Sequence, residues 1–455
     1  MSFSRKVGLI IGIVIVSLVV FFIAGMNLLF QVILPKPYEI KVSTPDEFFD
    51  AIDNGATFLR WERYGDFISL ENDLDFEGYE IEPQKISWVG RIEGNGYQIK
   101  NYVINASEGD NIGMFGVGIA LYDLTIDITV NYTGNGTNIG ALIGEGEVVL
   151  RNVVINATVN APAATNVGGV VGSCNSSSST TENLTCNVNV VGMENVGGFM
   201  GYYNAEWQRP VFSGITVTGE VKAIKSNAGG IFGLVETSDK KDGATICESV
   251  NKSNVSAQGS SGGIVGKGKN LTIDNCKNEG EIVSKSGSAG GIGGYLPYCD
   301  ISYCINEGKV YSEAPYVGGI AGYLETNSYE AYKGKIYSSN KNSGKIEGNI
   351  YVGGLFGYAQ GYKILITRNE NTGDVSGSSF VGGIIGGLDA GSGTQVTYCS
   401  NNANLVCSGS YCAGIIGGID SLRFWDEADL SNMSTNTTQG LINGNPSTLL
   451  YNEED

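Results

Sequence analysis

The chain contains no histidine. That absence removes Ser-His-Asp and Cys-His catalysis, imidazole metal sites and histidine pH switches. Charge is sparse, at 16% of residues, and the basic kind is scarcer: 28 Lys and Arg face 47 Asp and Glu, for a formal net charge of −19. Nucleic-acid affinity comes from neutralised phosphates, so no nucleic-acid partner is expected. Hydrophobic residues still reach 42%, which excludes a wholly disordered chain. The 9 cysteines include no Cys-x-x-Cys pair, so a zinc ribbon is not expected. Neither a metal nor a cofactor is expected, and no catalytic residue is assigned.

Glycine is what the chain has in excess, at 67 residues. It lacks the three-residue period of collagen. Its own period is about ten times longer. The signature, two residues followed by Gly-Gly-apolar-x-Gly, opens as Asn-Ile-Gly-Met-Phe-Gly at Asn111–Gly116 and recurs with drift in eleven copies to Gly417. Successive last glycines lie 28 residues apart at the closest (Gly116 to Gly144) and 35 at the widest (Gly322 to Gly357). A repeat of this size means stacked turns. A propeller has similar units, but eleven blades would be too many.

Between signatures lies a segment of period-2 alternation, as in Leu124, Ile126, Ile128 and Val130. That is a strand signal. The expected fold is all-β: a right-handed parallel β-helix of about eleven coils with glycines supplying φ > 0 at tight corners. From the sixth segment the middle of the strand changes character. One column becomes Asn251, Asn278, Asn306, Asn342, Asn371 and Asn401, and another holds Cys276 and Cys304. Stacked ~4.8 Å apart, identical Asn side chains can bond along the stack, so a structural ladder is expected. Cys276 and Cys304 are expected as stacked thiols rather than a disulfide.

The spacing varies between each signature and the next strand, so insertions collect along one edge. That edge is rich in aromatics: Tyr202, Tyr203, Trp207, Tyr295, Tyr298, Tyr323, Tyr329, Tyr332, Tyr358 and Tyr362. They form the candidate binding edge, against the plainer reading that they merely cover corners.

Val7–Leu34 carries no charge. As a helix it would be roughly 42 Å long, more than the ~30 Å hydrocarbon core. Arg5 and Lys6 precede it, which puts the N-terminus inside and the remainder outside. The expected organisation is a cytoplasmic stub at 1–6, a single-pass type II anchor at 7–34, a cap and first coils at 35–100, repeats at 101–417 and a cap or tail at 418–455. Thr44-Pro45-Asp46-Glu47 reads as a capping box opening a short helix that runs to about Asp53. Possible glycosylation sites are Asn105, Asn131, Asn135, Asn156, Asn254 and Asn270, while Asn251 should face inward and stay unmodified.

The signature units resemble the GLUG-motif repeats of surface proteins. The preceding stretch is similar too, through Asp73, Asp75, Gly94, Asn95 and Gly96, with Glu93 where an Asp is common. The resemblance covers about Val42 to Gly417. It implies a right-handed β-helix on an extracellular protein, often linked to adhesion, and it transfers no active-site residues. The function expected is a membrane-anchored scaffold binding glycans or surface proteins. One alternative is a self-associating filament subunit. Another is a polysaccharide lyase or hydrolase, which the scattered acids disfavour, as does an Arg set limited to Arg151, Arg209 and Arg368 in the repeat zone.

Overall fold

The alternating segments pair with their own equivalents one period later. Ile126 lies beside Ile155, then Cys186, Val217 and Asn251, followed by Asn278, Asn306, Asn342, Asn371 and Asn401. In this computed structural model the stacked segments make a β-solenoid of about 12 turns. It describes residues 38–52, 67–81, 83, 89–176, 178–205, 209–237, 243–326, 334–391, 393–419, 433–446 and 450–453. The anchor expected at 7–34 lies outside these residues. No helix among the described residues is long and apolar enough to cross a membrane.

The described strands form one sheet of 39 that folds around the corners and a second of 11. The second holds the strands that follow each signature, from Ile143–Glu145 through Gly293–Pro297 to Ile416–Ile419. Among the described strands, pairing is parallel except in the hairpin of Leu441–Ile442 with Asn445–Pro446. Apolar residues at alternate positions line the interior, as with Ile246, Ile273 and Ile301, all fully buried.

The chain turns corners at left-handed residues, but these are not the signature glycines. One corner uses Asp123, Asn152, Asn183, Glu248, Asn275, Tyr303, Ser339, Arg368 and Tyr398, with φ between 50° and 57°. Another uses the first signature residue: Asn111, Asn138, Asn166 and Asn195, and later Tyr316, Tyr351, Phe380 and Tyr411. No signature glycine has positive φ. This corrects the role expected for them. Their purpose is close approach: a Cβ on Gly386 would come within 2.5 Å of the Val352 nitrogen in the preceding turn. Only a residue without a side chain lets the turns lie this near.

The N-terminal end is closed by the helix Pro45–Asp50. Thr44 accepts from the Glu47 N–H at 3.2 Å, and the Glu47 carboxylate accepts from the Ser43 N–H at 2.7 Å. Phe48 is fully buried, edge-on to Phe76 at 5.8 Å. At the other end the chain continues the stack beyond Gly417. Thr437–Thr438 pairs with Ser400–Asn401, and Asn436 accepts from the Cys399 N–H at 2.8 Å before the hairpin closes the column.

All nine cysteines are free, and only Cys247 and Cys412 are not fully buried. Burial pushes the Cys299 thiol up to about 12 and Cys399 up to about 11, while burial and then the neighbouring Cys304 push Cys276 well above its usual range. The thiolate is the reactive form. Titration with a thiol-reactive chromogenic disulfide at pH 8 should therefore label Cys247 first in the native protein, Cys412 much more slowly because burial and then the neighbouring Cys407 push its thiol strongly up, and the remainder only after guanidinium. Rapid labelling of all nine without denaturant would contradict the stacked interior.

Candidate functional site

Two side-chain systems stand out: an interior one of amides and an exterior one of rings. In the interior, each Asn donates to its equivalent in the next turn. Asn278 reaches Asn306 at 2.8 Å, Asn306 reaches Asn342 at 2.7 Å, Asn342 reaches Asn371 at 2.8 Å, and Asn371 reaches Asn401 at 2.9 Å. Each also donates to the carbonyl two residues on, as Asn306 does to Gly308 at 2.8 Å, which fixes the bend. The ladder starts at Asn251, whose upstream neighbour is Val217. There the Ser253 hydroxyl donates to the Asn251 Oδ1, in place of the missing upstream amide. These amides are satisfied and buried, which makes them a structural device.

The exterior system lies on the strands following the signatures. Leu234, Lys267, Tyr295, Tyr323 and Tyr358 form one column joined in register turn by turn. Tyr358, however, is buried, 5% exposed beneath Tyr316, Tyr323 and Tyr351, so it supports the exposed edge expected for it rather than forming it. The Tyr295 and Tyr323 rings stack at 5.0 Å and 14°, and Tyr323 and Tyr358 at 5.6 Å and 19°. Beside them runs a second row that sequence reasoning missed: Tyr316, Tyr351, Phe380 and Tyr411. Tyr316 stacks on Tyr351 at 5.4 Å, and Phe380 on Tyr411 at 4.6 Å. The two rows meet edge to face, Tyr316 with Tyr323 at 5.0 Å and Tyr351 with Tyr358 at 4.9 Å. The signal was present in the signatures, whose first residue turns from Asn or Ser to an aromatic in the last four copies.

A polar column flanks the tyrosines and holds their hydroxyls. Tyr202 donates to Glu236 at 3.1 Å, Tyr295 to Glu325 at 2.9 Å and Tyr323 to Gln360 at 2.5 Å. Burial and then the Glu325 carboxylate raise the Tyr295 hydroxyl's pKa, so it remains a donor at any physiological pH.

The remaining candidates of the edge separate. Tyr203 is wholly buried, edge-on to Phe212 at 5.1 Å, with its hydroxyl donating to the Ser176 carbonyl at 3.3 Å. Strand alternation turns it inward beside the outward Tyr202, so it is a core residue and not part of a binding edge. Tyr298 is half-buried under Lys269, and Tyr362 is half-buried with its backbone held by Thr326. Trp207, Tyr329 and Tyr332 lie outside the described residues.

Among the sequons, Asn135 and Asn254 are exposed. The Asn131 amide donates to exposed Asn105 at 2.9 Å, and the Asn156 amide to Asp127 at 2.5 Å, so these nitrogens are engaged along outer rows. Asn270 is half-buried at φ 57°, and Asn251 is fully buried. Among the described residues, no group of three or more acids and cysteines is placed to hold a metal ion. No family model, curated protein or solved structure matches the chain.

Proposed function

We propose that the protein is a surface-displayed scaffold that binds glycans along the aromatic seam. The observation that carries this reading is the conformation of Tyr316, Tyr351, Phe380 and Tyr411, with φ of 72°, 56°, 52° and 63°. A bulky residue in this region is disfavoured by roughly 1–2 kcal/mol. The corner itself does not require rings, because Asn111, Asn138, Asn166 and Asn195 make the same bend. Four consecutive turns that keep aromatics in a disfavoured conformation argue for a use beyond the fold.

The seam's chemistry suits a sugar. Stacked rings turn their faces to one another and leave edges and hydroxyls outward, beside the Glu325 and Gln360 side chains. A glycan presents the same alternation of apolar C–H patches and hydroxyls. Both ends of the solenoid are closed, at Phe48 and at the C-terminal hairpin, which favours the side face over end-to-end contacts for recognition. In this proposal the coil is right-handed, and the apolar segment 7–34 anchors the chain as a type II membrane protein with the solenoid outside. The resemblance to GLUG-repeat surface proteins supports that placement.

The test restores the residue used in earlier turns. The full chain carrying Tyr316→Asn, Tyr351→Asn, Phe380→Asn and Tyr411→Asn should keep its fold and thermal stability. On a glycan array its binding should fall at least ~tenfold, about 1.4 kcal/mol. Unchanged binding would reject the seam as the contact surface.

A further inference from the structure

Where the tyrosine column begins, the outward face hollows into a groove of about 230 Å³ walled by Leu234, Glu236, Lys267, Lys269, Tyr295, Tyr298 and Glu325, among others. Lys267 and Lys269 sit two apart on the strand Val265–Lys269 and so project to the same side. The Lys267 ammonium stands 5.5 Å from the Tyr295 ring centre, and that of Lys269 stands 5.6 Å from the Tyr298 ring centre. Most lysines elsewhere on the solenoid are paired with carboxylates: Lys277 with Glu307, Lys309 with Glu347, Lys335 with Asp300, Lys341 with Glu370. Lys267 makes no ion pair among the described residues, although two carboxylates line the same groove.

Those carboxylates are already oriented. Glu236 accepts from Tyr202 and Glu325 from Tyr295. Each retains lone pairs for other hydroxyl donors. The groove therefore combines a cation lying over a ring with carboxylate walls that accept hydrogen bonds and confine a ligand's negative charge to the lysine side. Building on the glycan-scaffold reading, we infer that this groove is the subsite for an acidic sugar unit, with its carboxylate on Lys267 and Lys269, its C–H groups against the outer edge of the Tyr295 ring and its hydroxyls toward Glu236 and Glu325. The net charge of −19 opposes indiscriminate capture of polyanions, so recognition of an acid here is local and short-range.

Oligogalacturonate and sialyl-lactose, each beside its methyl ester, are the probes. They are titrated calorimetrically into the full-length protein in detergent. At least one acid should bind ~tenfold or more tightly than its ester. Lys267→Gln, on the surface and outside the core, should remove that preference, bringing the acid's affinity down to that of its ester. Equal affinity for acid and ester in the wild type would overturn the subsite, as would a preference that survives Lys267→Gln; either result leaves the scaffold reading standing. Failure of these sugars and of a neutral glycan array to bind at all would overturn the scaffold reading and the subsite with it.

Discussion

Replacement of Asn306 by alanine should cost the solenoid about 4 kcal/mol, with most of the loss arising in neighbours rather than at the deleted side chain. Asn306 accepts from Asn278 at 2.8 Å and donates to Asn342 at 2.7 Å and to the Gly308 carbonyl at 2.8 Å. All three partners are buried in a space that alanine cannot fill and water does not reach. Each orphaned group carries a desolvation penalty of roughly 1–3 kcal/mol. Asn306→Leu should be no gentler, because an apolar side chain of similar size restores the packing and none of the bonds. Asn401→Ala should cost less, since that residue ends the amide row and its own bond, to the Ala403 carbonyl, is longer at 3.2 Å. Urea unfolding followed by circular dichroism ranks the three. If Asn306→Leu proved as stable as the wild type, the ladder would be a packing feature rather than a hydrogen-bonded one.

That ladder was legible in the sequence because a solenoid turns period into contact. Once the repeat was aligned, Asn278, Asn306 and Asn342 had to be neighbours. The left-handed corners were harder to see. A φ > 0 at Tyr316 or Tyr398 has no signature in the residue itself, because aromatics rarely adopt it. Glycine drew the inference instead, since it is the residue usually found there. Tyr203 was misplaced for a different reason. The segment after the signature reads as loop by its varying length, yet Met200–Ala205 is a strand, and strand alternation separates Tyr202 from Tyr203. The groove at Lys267 could not be read from one repeat at all. It requires Glu236, Lys269, Tyr295 and Glu325, which come from four successive turns.

Gly319→Ala should destabilise the protein by about 3 kcal/mol, although it adds one methyl group to a residue of ordinary φ. The second signature glycine faces the Asn ladder across the core. A Cβ on Gly319 would lie 2.5 Å from the Asn342 amide carbon and would also overlap the Gly354 carbonyl oxygen of the next turn. The same amide contact recurs at Gly354, where a Cβ would lie 2.5 Å from the Asn371 amide carbon. Neither obstacle can withdraw, because the amide is held by its ladder bonds and the carbonyl by the sheet. Gly78→Ala is the control: its φ is +83°, yet a Cβ there meets nothing within 4 Å, so its cost should stay near ~1–2 kcal/mol of backbone strain. The damage at Gly319 should also be local, since each turn of a solenoid contacts only its neighbours. Hydrogen exchange should show protection lost in the strands around Asn306, Asn342 and Asn371 and retained near Ile126 and Ile155. Equal destabilisation by Gly319→Ala and Gly78→Ala, with exchange raised along the whole column, would mean that the signature glycines serve backbone freedom after all.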